Sequence, residues 1–469
     1  MKCRLLFNSL FQNTCSSLVS RALIVMLAAM TVKAPTAHAW SQHYLITDAV
    51  LEHPAITSDP DLRPLHRDEL HKKVKTESLD QFLQATQNEL STLFRDYYGW
   101  LQSRGSKRFK VMTFPASASE GKADTAAFLR AARLNPKVRF PLGSRIFPGK
   151  GPLFREVPAE TLTPALASIP TFPHTDWVQR FDDVTGREVT GHSILSTFSD
   201  EPDWGMDREL FSIPEYGYGK IPYGKEKGIA SQAPFHMIFK NENFITNFAV
   251  PEIRDGMGVE RIELFKRLAA LAFRTGHPYW GYRFSAWALH YIQDFTQPYH
   301  AKAVPHGGWI YTIKLALSGE KKREQIKKET LSLVKNRHFV YEDVTAFALQ
   351  QHILEPQPTY AKIRNALKVG LPAFSDSRSI ETEAFVARVT HFSATHAPFI
   401  DKEVVKIFDS KMTQDPSYDL ELDHSFSIRS LVQKIHAANA SKFIEETIKD
   451  HELAGTASRS LLLNVLPKH

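Results

Sequence analysis

Cysteine is nearly absent from this chain of 469 residues: there are two, Cys3 and Cys15, both close to the N-terminus. The stretch that holds them has the plan of a secretory signal. Lys2, Arg4 and Arg21 precede the apolar run "ALIVMLAAMTV", and "APTAHA" follows, ending at Ala39. Small residues at Ala37 and Ala39 fit the cleavage rule, which predicts a signal peptide over residues 1–39 and a mature start at Trp40. The mature chain then carries no thiol. Disulfides are excluded, and the core and metal are the means left to hold the fold.

Long apolar runs are missing as well. The run in the signal is about 11 residues, too short for a permanent membrane anchor. No other run is long enough to span, so the mature chain is expected to have no transmembrane segment and to be exported, secreted or periplasmic. A charge excess is also lacking. The signal holds four of the 58 basic residues and no acidic one, leaving 54 basic against 51 acidic. A nearly balanced surface gives no strong argument for nucleic acid as a partner. Strand signals are few and no internal repeat is evident.

What is present is helical periodicity. Residues 40–53 read as a short helix start, and 78–103 as one amphipathic helix with Ser78 or Asp80 near its cap. Residues 104–180 turn rich in Pro, Gly and basic residues; they read as loops, a short helix near "ADTAAFLRAARL" and a surface insertion. Residues 207–235 are loop-like. From 259 the pattern is strongly helical, and 346–469 forms a helical C-terminal region of unknown role. The fold class is mainly α, with long loops on one side.

The stretch "ALHYIQDFTQPYHAKAVPH" concentrates the chemistry. His290 and Asp294 lie four apart, on one helical face, as do His338 and Glu342 in "RHFVYED". Imidazole and carboxylate on adjacent turns suit Zn²⁺. Pro298 cannot continue a regular helix, because its ring meets the carbonyl of Asp294, so His300 should swing off the helix track. His174, His192, His277 and His306 are read as core or surface histidines, or as partners that orient ligands.

With "WSQHYLI" at the mature start, the set resembles the zinc-dependent phospholipases C, a superfamily shared with alpha-toxins and single-strand-specific zinc nucleases. Trp40 resembles the family's N-terminal Trp, and His43 its first-helix histidine. Asp203 in "EPDWG" and His236 in "APFHMIF" resemble the next two ligands. "HYIQDFTQPYH" matches the central run, and His338 with Glu342 closes the set. Two spacings depart from the family: His43 and Asp203 are 160 positions apart, and Asp203 and His236 are 33 apart. Asp200 or Asp207 could stand in for Asp203, and His236 could be a core histidine beside Phe235 and Phe239.

The resemblance implies a multi-helix fold of phospholipase C/zinc nuclease type, with a catalytic domain over 40–345. It implies three zinc ions. One would be held by Asp203, His236, His290 and Asp294, a second by Trp40, His43 and the bridging Asp294, the third by His300, His338 and Glu342. It implies hydrolysis of the glycerol-side phosphodiester of a phospholipid at a membrane surface by a metal-activated water, with Asp203 as the catalytic residue. Nucleic acid is the substrate only in the related reading, a zinc nuclease or nucleotidase. A third reading is a secreted binding protein with a structural zinc cluster.

Overall fold

The computed structural model describes residues 42–52, 67–105, 110–146, 155–158, 180–242, 251–306, 311, 313–314, 317–354, 356–369, 381–420, 423, 428–436 and 438–467. Trp40, the expected signal over residues 1–39 and His174 lie outside them. The fold is mainly helical. Helix α1 (His43–Leu51) is buried on almost every side; only Asp48 reaches partial exposure. Its apolar residues Leu45, Ile46, Ala49, Val50 and Leu51 and its polar His43 and Thr47 are all buried, the mark of a helix enclosed by others.

The expected helix over 78–103 is two helices, α2 (Leu79–Ala85) and α3 (Gln87–Ser103). Ser78 caps α2 in a capping box with Gln81, which satisfies end N–H groups that lack helical partners. The break is Thr86, whose hydroxyl donates to the Phe82 carbonyl at 2.8 Å while its backbone leaves the helical region (φ −121°, ψ 25°). Helix α3 buries Leu90, Leu93, Phe94, Tyr97, Tyr98 and Leu101 at helical spacing.

The segment read as a surface insertion is partly core. Its helix α4 (Thr125–Ala131) buries Phe128 and Leu129, and the loops before and after it bury Met112, Phe114 and Val138. Proline and glycine richness signalled loops, but aromatic residues between the breakers anchor those loops against Phe94. Two small antiparallel sheets complete this side. One pairs β1 (Lys73–Lys75) with β5 (Glu188–Thr190); the other has the order β2 (Gly143–Arg145), β4 (Arg180–Asp183), β3 (Arg155–Pro158).

Helix α5 (Gly191–Phe198) leads into a 3-10 turn at Glu201–Trp204, and the short α6 (Ala233–His236) ends on His236. Then α7 (Gly258–Arg274) and α8 (Pro278–Asp294) form a tight hairpin. Gly276 turns the chain at φ +83°, and Gly281 lies so close to the Phe273 ring that a Cβ would sit 2.7 Å from it. As Pro298 predicts, α8 ends at Asp294, and Pro298 opens the next helix, α9 (Pro298–Ala301).

Helix α10 (Glu320–Leu354) runs through position 345, where a boundary was expected. It is followed by α11 (Pro358–Val369), α12 (Thr382–Ile407), α13 (Ile428–Ile435) and α14 (Ser441–Val465). Helix α14 packs against α8, α11 and α12, so the C-terminal region shares the interior of the rest. Buried apolar side chains form two large clusters, one built around α3, α7 and α8, the other around α1, α10 and α12. The candidate ligands come from α8 on one side and from α1 and α10 on the other, so the polar centre lies at the seam between them.

Candidate metal centre

Three groups of ligand-type side chains meet at this seam: His43, His290 and Asp294; Asp203, His236 and His290; and His300, His338 and Glu342. Every candidate ligand within the described residues is therefore brought into one place. Trp40 lies outside the described residues.

The first group of distances has the size of a metal shell. Asp294 Oδ2 is 2.9 Å from His236 Nδ1 and 3.3 Å from His290 Nε2. His290 Nε2 is 3.0 Å from His236 Nδ1, and Asp203 Oδ1 is 3.6 and 3.7 Å from those two nitrogens. Four donors at about 2.0–2.1 Å from a common ion, placed tetrahedrally, are separated by about 3.3–3.4 Å. The second group turns on the other oxygen: Asp294 Oδ1 is 3.3 Å from His43 Nε2. In the third, His338 Nε2 is 3.1 Å from His300 Nε2 and 2.7 Å from Glu342 Oε1.

Hydrogen bonds on the far side of three rings fix which of their nitrogens face inward. His290 Nδ1 donates to the Ser199 carbonyl at 2.8 Å, and His300 Nδ1 donates to the His236 carbonyl at 2.8 Å. His43 Nδ1 donates to Gln293 Oε1 at 2.9 Å. His236 directs Nε2 at Asp207 Oδ2, 3.3 Å away. In a neutral imidazole the nitrogen opposite a donating N–H is a bare lone pair. Lone pairs on these three rings thus point inward, with His290 Nε2 3.0 Å from His236 Nδ1 and His300 Nε2 3.1 Å from His338 Nε2, an arrangement that a cation among them would stabilise. His43 Nε2, Asp294 Oδ1 and Glu342 Oε2 are buried with no hydrogen-bond partner, a condition that is unfavourable for the chain alone. The donor set of imidazole nitrogens and carboxylate oxygens, closed by such orphaned atoms, fits divalent metal.

Electrostatics agree. Burial, reinforced by the Asp294 charge, pushes the Asp203 carboxyl up to about 7 against the pull of His236 and His43. Burial pushes Glu342 up to about 8 and drives His338 down to about 3. Burial also opposes charge on His236, but its bonds to Asp207 and Asp294 outweigh it and raise the group to about 10. Without a cation, carboxyls and imidazoles here compete for protons; a divalent ion lets the carboxyls ionise and the rings stay neutral.

The loop that carries Asp203 is braced by acids that the sequence left as substitutes or did not single out. Asp200 accepts from the Tyr44 backbone N–H at 3.1 Å and pairs with Arg145 of β2 at 2.5 Å. Glu201 pairs with Arg283 of α8 and accepts from Trp287 Nε1 at 2.6 Å. Asp207 accepts from Arg261 of α7 at 2.9 Å and from Tyr291 Oη at 2.5 Å. Each buried acid is matched by a buried arginine on a different element, which removes the penalty of an unpaired charge and fixes the loop. The signal in the sequence is the density of acids in "SDEPDWGMDREL". Among the other histidines, His192 pairs with Asp48, His277 with Glu77, and His306 with Asp401.

A second buried histidine–acid group lies between α12 and α14. His396 faces Asp450 with Nδ1 and Glu446 with Nε2, each at 2.5 Å. Tyr341 donates to the other Asp450 oxygen at 2.6 Å, and Lys442 and Lys449 reach Glu446. Burial opposes the charge on His396, but the two carboxylates raise it to about 9.

Comparison with protein-family profiles, with curated proteins and with solved structures gives no match. Among the described residues, no helix is long and apolar enough to cross a membrane.

Proposed function

We propose that the chain is a zinc-dependent phosphodiester hydrolase of the phospholipase C type, exported and acting on phospholipid at a membrane surface. The observation that carries the reading is the inward convergence of imidazole lone pairs on two faces of one carboxylate, Asp294, beside a third His–His–Glu group. Three zinc ions are proposed, with the ligand sets that the resemblance implies; Trp40 would add its part to the second. Zinc supplies Lewis acidity toward a phosphoryl oxygen and makes water acidic near neutral pH.

The residues divide the remaining work. Asp294 presents Oδ2 to His236 and His290 and Oδ1 to His43, so one side chain sets the separation of two ligand groups. Asp203 is the ligand side chain open to solvent, 18% exposed against 3% or less for the other described ligands. Substrate therefore enters on its side, and Asp203 takes the proton of the attacking water. Gln232 Nε2 donates to Asp203 Oδ1 at 3.1 Å and holds the carboxylate in place. The scissile bond is the glycerol-side ester, so the products are a diacylglycerol and a phosphorylated head group.

Phosphatidylcholine vesicles and single-stranded DNA or RNA are the discriminating substrates. Release of phosphocholine without nucleic-acid cleavage is expected. Nucleic-acid cleavage alone assigns the related nuclease chemistry, and full metal content with neither activity assigns a structural cluster. An added residue ahead of Trp40 should lower zinc content and hydrolysis together; if both survive, the terminal amine is not a ligand.

A further inference from the structure

The chain between His300 and His338 carries a surface that the hydrolytic reading does not use. Leu317 is 84% exposed, the most exposed large apolar side chain among the described residues, and Ile313 is 40% exposed. Both are helical positions four apart, so they project from one side of a turn. The turn is held in place. Tyr311 is partly buried, Ser318 Oγ donates to the Lys314 carbonyl at 2.7 Å, and Arg323 Nη2 donates to the Ser318 carbonyl at 2.8 Å. An anchored turn that still presents leucine and isoleucine to water exposes them at a persistent free-energy penalty.

Their surroundings are basic. Over 311–328 there are six basic residues, Lys314, Lys321, Lys322, Arg323, Lys327 and Lys328, against two acidic, Glu320 and Glu324. Lys314, Lys321, Lys322 and Lys328 are exposed. The rest of the chain is nearly balanced, so this is a local excess. Apolar side chains rimmed by lysine suit a surface that is apolar beneath a negative layer: the interface of a bilayer containing anionic lipid. A purely polyanionic partner would use the lysines and leave Leu317 and Ile313 unexplained.

We propose that Ile313, Leu317 and the exposed lysines Lys314, Lys321, Lys322 and Lys328 dock the protein on anionic phospholipid membranes, with Ile313 and Leu317 entering the head-group region and the lysines contacting lipid phosphates. Docking deepens the hydrolytic reading and rests on it for its purpose. The same helix, α10, starts in this surface and carries His338 and Glu342 about four turns further on, on the order of 24 Å along its axis from Lys322. A membrane held at Lys321 and Lys322 is thus tied by one rigid element to the third ligand group. No spanning segment is needed, because the contact is peripheral.

The test measures co-sedimentation with phosphatidylcholine vesicles, with and without phosphatidylserine, beside turnover of a water-soluble phosphorylcholine ester. The native protein should prefer the phosphatidylserine vesicles and release them at high salt. Leu317→Asp, and separately Lys321→Glu with Lys322→Glu, should each weaken vesicle binding at least about tenfold. Turnover of the soluble ester should not change, because these side chains lie at the surface away from the ligands. Vesicle binding equal to native in both variants overturns the proposal. So does a Leu317→Asp variant whose only change is loss of a dimer, which assigns the face to a second copy. Binding needs no turnover, so the two readings fail separately. A protein that docks through this face but hydrolyses no phosphodiester loses the phospholipase reading alone; one whose variants hydrolyse vesicles like native loses the docking surface alone.

Discussion

His290 and His396 are both buried beside two carboxylates, and they are wired in opposite ways. His396 spends both nitrogens on its acids, Nδ1 on Asp450 and Nε2 on Glu446, and so closes as an imidazolium with its charge satisfied. His290 gives its Nδ1–H to the Ser199 carbonyl and turns a bare Nε2 toward Asp294, Asp203 and His236. The same residue types make a proton-filled clamp in one place and a cation-ready cavity in the other. A histidine among acids is thus not by itself a metal ligand; the acceptor behind the ring decides.

The comparison breaks most severely at Asp294. Asp294→Ala removes the carboxylate common to two ligand groups, and hydrolysis of phosphatidylcholine should fall below about a thousandth of native. Metal analysis of the purified variant should show a matching loss, while His396→Gln keeps full metal content. A variant of Asp294 that retains native zinc would show that the shared carboxylate is not a ligand.

A smaller effect separates the regions by pH. The folded-state pKa of His396 is raised to about 9 from an ordinary value near 6.5. The clamp's stabilisation is therefore complete below about pH 6.5 and is lost as pH rises through 9, about 3 kcal/mol at most. The metal centre should respond the other way, because protons compete with metal for imidazole as pH falls. Thermal melts across neutral to alkaline pH check this: native protein should soften steadily from about pH 6.5 to about pH 9, and His396→Gln should be less stable but flatter. An unchanged alkaline slope in that variant removes His396 as the source.

The smallest expected change sharpens the role of the acceptor behind the ring. Asp207→Asn keeps the shape near His236 but weakens its hold on Nε2, and metal affinity should drop about 10–100-fold in chelator competition. Equal affinity in native and variant would show that Arg261 and Tyr291, rather than His236, are what Asp207 serves.

Parts of this were legible in the sequence. The pairs His290/Asp294 and His338/Glu342 follow from helical spacing, and the end of α8 before Pro298 follows from the missing N–H and the ring clash. The mainly α class was readable because apolar periodicity is local. Asp203 and His236 rested on resemblance, since no spacing rule links a 3-10 turn to a helix end across a variable loop. The braces Arg145–Asp200, Arg283–Glu201 and Arg261–Asp207 were not legible, because each joins positions 54 to 82 residues apart through tertiary packing. The core role of Phe114 and Phe128 was hidden for the same reason, behind proline and glycine signals that describe only the local backbone.

Gln293 has a consequence for the order in which the molecule is made. Its carbonyl accepts from His43, and its amide donates to Thr47 at 3.0 Å and to Ser458 at 3.2 Å. One side chain thereby gathers α1, the middle of the chain and α14. Contacts that close loops of 246 and 165 residues form late, because chain entropy must be overcome before they are rewarded. The orientation of His43 is settled only when the segment around Ser458 has arrived. On the proposed reading, metal loading is accordingly an end-of-folding event, and an incomplete chain is an unloaded one.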